Sequence, residues 1–156
     1  MDKVRLNRWL TLGANIGVLF GIMFLIVELN QTREMNRGET RNQVASELSE
    51  LLRDVGNNPQ LAELIVRAER GEELTPGEEM QYTQRILSML RYFENVHYQY
   101  RQGLYDDGEF STQREAWRKV YASSKTSVKI WCEYRMTFSP EFRREFDDLL
   151  NKFQCR

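Results

Sequence analysis

The sequence predicts an all-α protein, a helical bundle domain carried on an N-terminal transmembrane helix. Three observations lead there. Leu10 to Val27 form 18 consecutive residues interrupted in polarity only by Thr11 and Asn15, a membrane-spanning signature. Elsewhere the apolar residues recur at helical spacing, and no stretch alternates at period two between turn residues, so no sheet is expected. All 3 prolines follow a good N-cap residue, in Asn58-Pro59, Thr75-Pro76 and Ser139-Pro140, and proline at the first helical position costs no intrahelical hydrogen bond.

Composition sets the outer bounds. The chain has 156 residues with 22 Lys and Arg against 23 Asp and Glu, a net charge of -1. That balance removes the bulk electrostatic case for nucleic acid, and the length suits one folded domain. All but Trp9, Phe20 and Phe24 of the aromatic residues lie between Tyr82 and Phe153, a density that marks a packed aromatic core.

Taken in order, residues 1–8 form a short basic tail with Lys3, Arg5 and Arg8, and residues 9–29 form the span. At about 1.5 Å per residue the apolar run covers roughly 27 Å, near the hydrocarbon thickness. Trp9 suits the interface on one side and Glu28 can snorkel on the other. A cleaved signal peptide is the competing reading. The run exceeds a usual signal h-region, and Glu28-Leu29-Asn30 is not a small-residue cleavage site, so a retained anchor is preferred. Gly13, Gly17 and Gly21 repeat every four residues beside Asn15, a stripe that would let a second helix approach. The lipid bilayer and either a second copy or a partner membrane helix are the expected partners. Arg33, Arg37 and Arg41 on the far flank balance the tail, so charge leaves the side of the soluble domain undecided.

Residues 30–56 read as a helical stalk, with Val44, Leu48, Leu51, Leu52 and Val55 at helical spacing, and residues 57–156 as the bundle. Within it, Pro59 to Arg70 is a short helix ending at Gly71. Pro76 to Gln102 is the central helix, opened by a Thr75–Glu78 capping box and carrying Tyr82, Ile86, Met89, Phe93, Val96 and Tyr100 on one stripe. Further helices are expected around Glu109 to Ala122, Val128 to Met136 and Pro140 to Phe153. Asp106-Asp107-Gly108 reads as a turn and cap.

The residues with chemical potential are few. Glu94 and His97 form a Glu-x-x-His pair, the spacing that aims a carboxylate and an imidazole at one metal in ferritin-like bundles. His97 is the only histidine, and such a site needs two of these pairs. No metal is therefore assigned, and His97 is read as hydrogen-bonded within an aromatic core. Gly-x-Ser-x-Gly, phosphate-binding loops, His-Glu-x-x-His and Cys-x-x-Cys are all missing from the sequence, so no catalytic residue and no cofactor is assigned. The string from Tyr92 to Arg101 interleaves rings with polar groups. It is either a buried network or a polar-lined aromatic pocket, whose candidate residues are Glu94, His97, Tyr98, Tyr100 and Arg101. Cys132 and Cys155 either pair in an oxidising compartment or stay reduced in the cytoplasm.

These residues carry a resemblance over nearly the whole chain. Glu28-Leu29-Asn30-Gln31, the Asn57 to Ala62 helix start, the Leu74 to Glu78 turn, the Glu94 to Arg101 string followed by Gly103-Leu104-Tyr105-Asp106, Trp131-Cys132, and Phe138 to Phe142 with Cys155 resemble a family of small uncharacterised bacterial single-span membrane proteins. The resemblance implies a bacterial inner-membrane protein of this architecture and brings no mechanism with it. The expected role is a membrane-anchored interaction or accessory module that self-associates. The alternatives are a metal-dependent or redox enzyme using Glu94 and His97, or a small-ligand or lipid sensor with an aromatic pocket.

Overall fold

The computed structural model describes residues 3–122, 124–150 and 155, with side chains from Asn7 onward. Those residues form α1 (Lys3–Gly56), α2 (Pro59–Glu69), α3 (Pro76–Arg101), α4 (Asp107–Val120), α5 (Lys125–Tyr134) and α6 (Pro140–Leu150), with a 3-10 turn at Arg135–Thr137 before α6. No strand occurs among the described residues. The fold is all-α.

The chain divides into two compact units, residues 1–39 and 40–156. In the first, every described side chain from Asn7 to Glu39 is exposed. The most apolar 18-residue window of α1 has a mean hydropathy of 2.3, and none of it is buried. By length and composition this helix is able to cross a membrane. Residues 3–8, expected as a tail, already belong to α1. The stretch contains no glycine or proline to stop a helix from extending through it.

The second unit takes in the end of α1, which corrects the boundary read at residues 56 and 57. Val44 is 2% exposed, and Leu48, Leu51 and Val55 pack against the same core. Residues 40–56 are thus part of the bundle, and of the expected stalk only residues 30–39 fall outside it. Leu52, expected on the packing face, is exposed.

Local chemistry accounts for the helix ends. Asn58 Oδ1 accepts from the Leu61 N–H at 3.1 Å. Thr75 and Glu78 form the reciprocal box, and Asp106 Oδ1 accepts from Gly108 N–H at 2.8 Å. At the other ends Gly71 and Gly103 have φ of 73° and 71°. Each closes a paired C-terminal motif, with Gly71 N–H on Ala68 O and Glu72 N–H on Arg67 O after α2, and Gly103 N–H on Tyr100 O and Leu104 N–H on Gln99 O after α3. The left-handed residue such a motif needs is cheapest as glycine.

Helix α3 is central and packs against α2, α4, α5 and α6. Two ring clusters fill the space around it. Phe93 stacks on Trp117 at 4.3 Å and Tyr100 on Phe110 at 4.0 Å. Trp131 meets Phe146 at 4.6 Å and stands edge-on to Phe142 at 5.8 Å. The helix read as far as Phe153 is described to Leu150, and Phe153 lies outside the described residues.

Candidate functional site

The Glu94 carboxylate works as a structural clamp. Its Oε1 accepts from the Ser139 N–H at 2.7 Å, and its Oε2 accepts from Arg91 Nη1 at 2.7 Å. Ser139 is the residue before α6, and its own Oγ accepts from Phe142 N–H at 3.4 Å. Glu94 therefore supplies, from α3, the acceptor that a capping box would place three residues into α6, where the sequence has Phe142. A negative charge beside a helix N-terminus is favourable as well. Burial alone would raise the Glu94 pKa, but the Ser139 N–H and Arg91 outweigh it and hold the carboxyl below its ordinary range.

Arg91 completes the clamp. Its Nη2 donates to Thr137 O at 3.0 Å and Thr137 Oγ1 at 3.2 Å, and its guanidinium lies 4.1 Å over the Phe138 ring. One ion pair on α3 thus holds both the 3-10 turn and the start of α6. Sequence reasoning missed Arg91 and read Ser139 as an N-cap without its Glu94 partner. The signal lay in Ser139-Pro140, a helix start with no acidic or amide residue at the third helical position to cap it.

His97 is 7% exposed. Its ring lies 5.9 Å from Phe110 and 6.0 Å from Phe142, so it joins the two ring clusters. Burial pushes the imidazole pKa down, and Arg101 adds to this, while Glu145, Glu141 and Glu94 oppose it. The expected aromatic setting is present. Of the two hydrogen-bond partners expected for His97, Glu94 or a tyrosine, Glu94 is taken up by the clamp on Ser139 and Arg91.

Four of the five candidate residues, Glu94, His97, Tyr98 and Arg101, line one open groove of about 500 Å³ between α3 and the start of α6, together with Arg91, Asn95, Ser139 and Glu141. Arg101 approaches Glu141 to 3.7 Å, and Asn95 Nδ2 donates to Glu47 at 3.1 Å. Tyr100 is the exception. A step of three or four residues keeps Glu94, His97, Tyr98 and Arg101 on one side of α3, whereas Tyr100 turns onto Phe110. There the neighbouring Asp107 carboxylate raises the pKa of its hydroxyl.

A second groove, of about 600 Å³, lies among residues 41–49 of α1, Tyr92, and residues 105–113. Arg41 and Glu109 pair across it at 2.9 Å. Tyr92 is 4% exposed, and its hydroxyl has no hydrogen-bond partner among the described residues. Burial raises its pKa, and the nearby Tyr105 and Glu47 add to the effect.

Among the described residues, no group of three or more His, Cys, Asp or Glu side chains converges as a metal site. Gly13, Gly17 and Gly21 face open space, with nothing within 4 Å of where a Cβ would stand, and Asn15 is exposed with them. Cys132 and Cys155 are joined in a disulfide, their Cα atoms 5.2 Å apart and 23 positions apart in sequence. No family model, curated protein or solved structure matches the chain.

Proposed function

We propose that this protein is a single-span, membrane-anchored helical accessory module that acts by association, through its glycine-lined membrane helix, with a second copy or a partner helix. The observation that carries the reading is the uninterrupted exposure of an apolar helix. Large side chains such as Phe20, Met23 and Phe24 are 68%, 64% and 70% exposed. In water such a surface costs about 25 cal/mol per Å², whereas in lipid it is the favourable one. The open glycine stripe supports association, because small residues let helix backbones approach.

Anchoring is tested by alkaline extraction of membranes followed by intact-mass measurement. Retention in the membrane with residues 9–29 still attached supports the reading, and a cleaved product refutes it. Association is tested by sedimentation in mild detergent and by cross-linking in lipid. Gly17→Ile is expected to shift the protein toward monomer, since a branched side chain would stand in the approach path. A wild type that is already monomeric in both media refutes self-association.

A small-ligand sensor is the second reading. It is favoured by the α3–α6 groove, which gathers His97, Tyr98 and Arg101 beside two carboxylates. Native mass spectrometry of protein taken from membranes would reveal a bound species that Arg101→Ala releases. The metal-enzyme alternative loses support because Glu94 spends both carboxylate oxygens on Ser139 and Arg91.

A further inference from the structure

We infer that the helical bundle, residues 40–156, lies on the oxidising side of the membrane, with the basic flank of Lys3, Arg5 and Arg8 in the cytoplasm. The inference rests on the proposed span, and it decides what the flanking charges leave open. Lys3, Arg5 and Arg8 on one side and Arg33, Arg37 and Arg41 on the other are an even match under the positive-inside rule.

The two cysteines break the tie. They are the only 2 in the chain, and both are consumed in one bond. Neither lies in the Cys-x-x-Cys arrangement of a catalytic thiol pair. Cys132 is on α5, whereas Cys155 follows α6, so the pairing is made by the tertiary fold rather than by neighbours in sequence. The Cα separation of 5.2 Å falls within the range that a disulfide needs without backbone movement. Both residues are half-buried and pack against the core that contains Trp131 and Phe146. That is the setting of a structural crosslink. Such crosslinks persist in secreted and extracytoplasmic domains, whereas cytosolic thiol buffers keep such pairs reduced. The span then acts as an uncleaved export signal. Any partner of the α3–α6 groove must be met outside the cytoplasm.

The test uses the full chain in a bacterial host. Alkaline phosphatase and green fluorescent protein are fused in turn to its C-terminus, and the unfused protein is treated with a maleimide-polyethylene glycol without reductant. The expected result is active phosphatase, a dark fluorescent fusion, and no mass shift until reductant is added. Fluorescence with inactive phosphatase overturns the inference, as does modification of both thiols without reductant. Alkaline extraction run in parallel separates the two ideas. A protein that stays in the membrane with its thiols free keeps the anchor and refutes the orientation, whereas one that is released refutes the anchor itself.

Discussion

Residues 7–39 and 40–150 spend comparable side chains in opposite ways. Phe20 and Phe24 in the first unit are 68% and 70% exposed, whereas Phe142 and Phe146 in the second are 0% and 2% exposed. In the second unit, rings meet rings, and helices converge on α3. In the first, one helix satisfies its own backbone and leaves apolar side chains exposed, an arrangement that costs more in water than in an apolar solvent. The lesson is that apolar character alone does not build a core. A helix that packs on one side of a core carries polar residues on its other face, and Leu10 to Val27 provide almost none.

The largest expected effect follows from that contrast. Phe142→Ala should cost about 3–5 kcal/mol of unfolding free energy, the usual range for emptying a buried aromatic site. Phe20→Ala should leave the unfolding of the bundle within about 0.5 kcal/mol of wild type. Denaturant titration in mild detergent, followed by tryptophan fluorescence, compares them. Equal losses would mean that the two units share one core.

Reduction of the Cys132–Cys155 link should come next. The bridge closes a loop with a sequence separation of 23, and chain-entropy estimates give about 3 kcal/mol for a loop of that order. The same titration with and without reductant measures it. No change on reduction would show that packing alone holds α5 against the core.

Glu94→Ala is expected to cost about 2 kcal/mol, since it leaves the Ser139 N–H and Arg91 without their carboxylate. Glu94→Gln should cost less, because an amide oxygen still accepts from Ser139. Hydrogen exchange should localise the damage to the start of α6. Equal losses for both variants would mean that charge, not capping, does the work there.

The smallest effect concerns pH. The buried His97 has its pKa lowered below the ordinary 6.5, so the unfolded chain takes up the proton first on acidification. Stability from neutral His97 is therefore complete above the unfolded pKa and declines as pH falls from about 6.5 through the lowered folded value. The lowered pKa values of Glu94, Glu78 and Glu141 act in a more acidic window, below the ordinary 4.5. His97→Gln should flatten the melting-temperature profile just below pH 6.5 and leave the acidic limb in place. An unchanged profile would show that the imidazole is solvated despite its burial.

Periodicity and caps alone determined much of this molecule. The helix starts at Pro59, Pro76 and Pro140, the glycine stop at Gly71, the Thr75–Glu78 box and the central stripe of α3 all stand as read. Each depends on residues within a few positions of one another, so the sequence holds both partners. What only the tertiary structure decided joins residues far apart. Glu94 caps α6 across 45 positions, Cys155 returns to Cys132, and Val44 leaves the expected stalk to enter the bundle core. The α6 start shows the physical reason. Its N-cap N–H must be satisfied, but with Phe142 at the third helical position the acceptor had to come from elsewhere, and which carboxylate arrives is set by how α3 and α6 pack rather than by either helix alone.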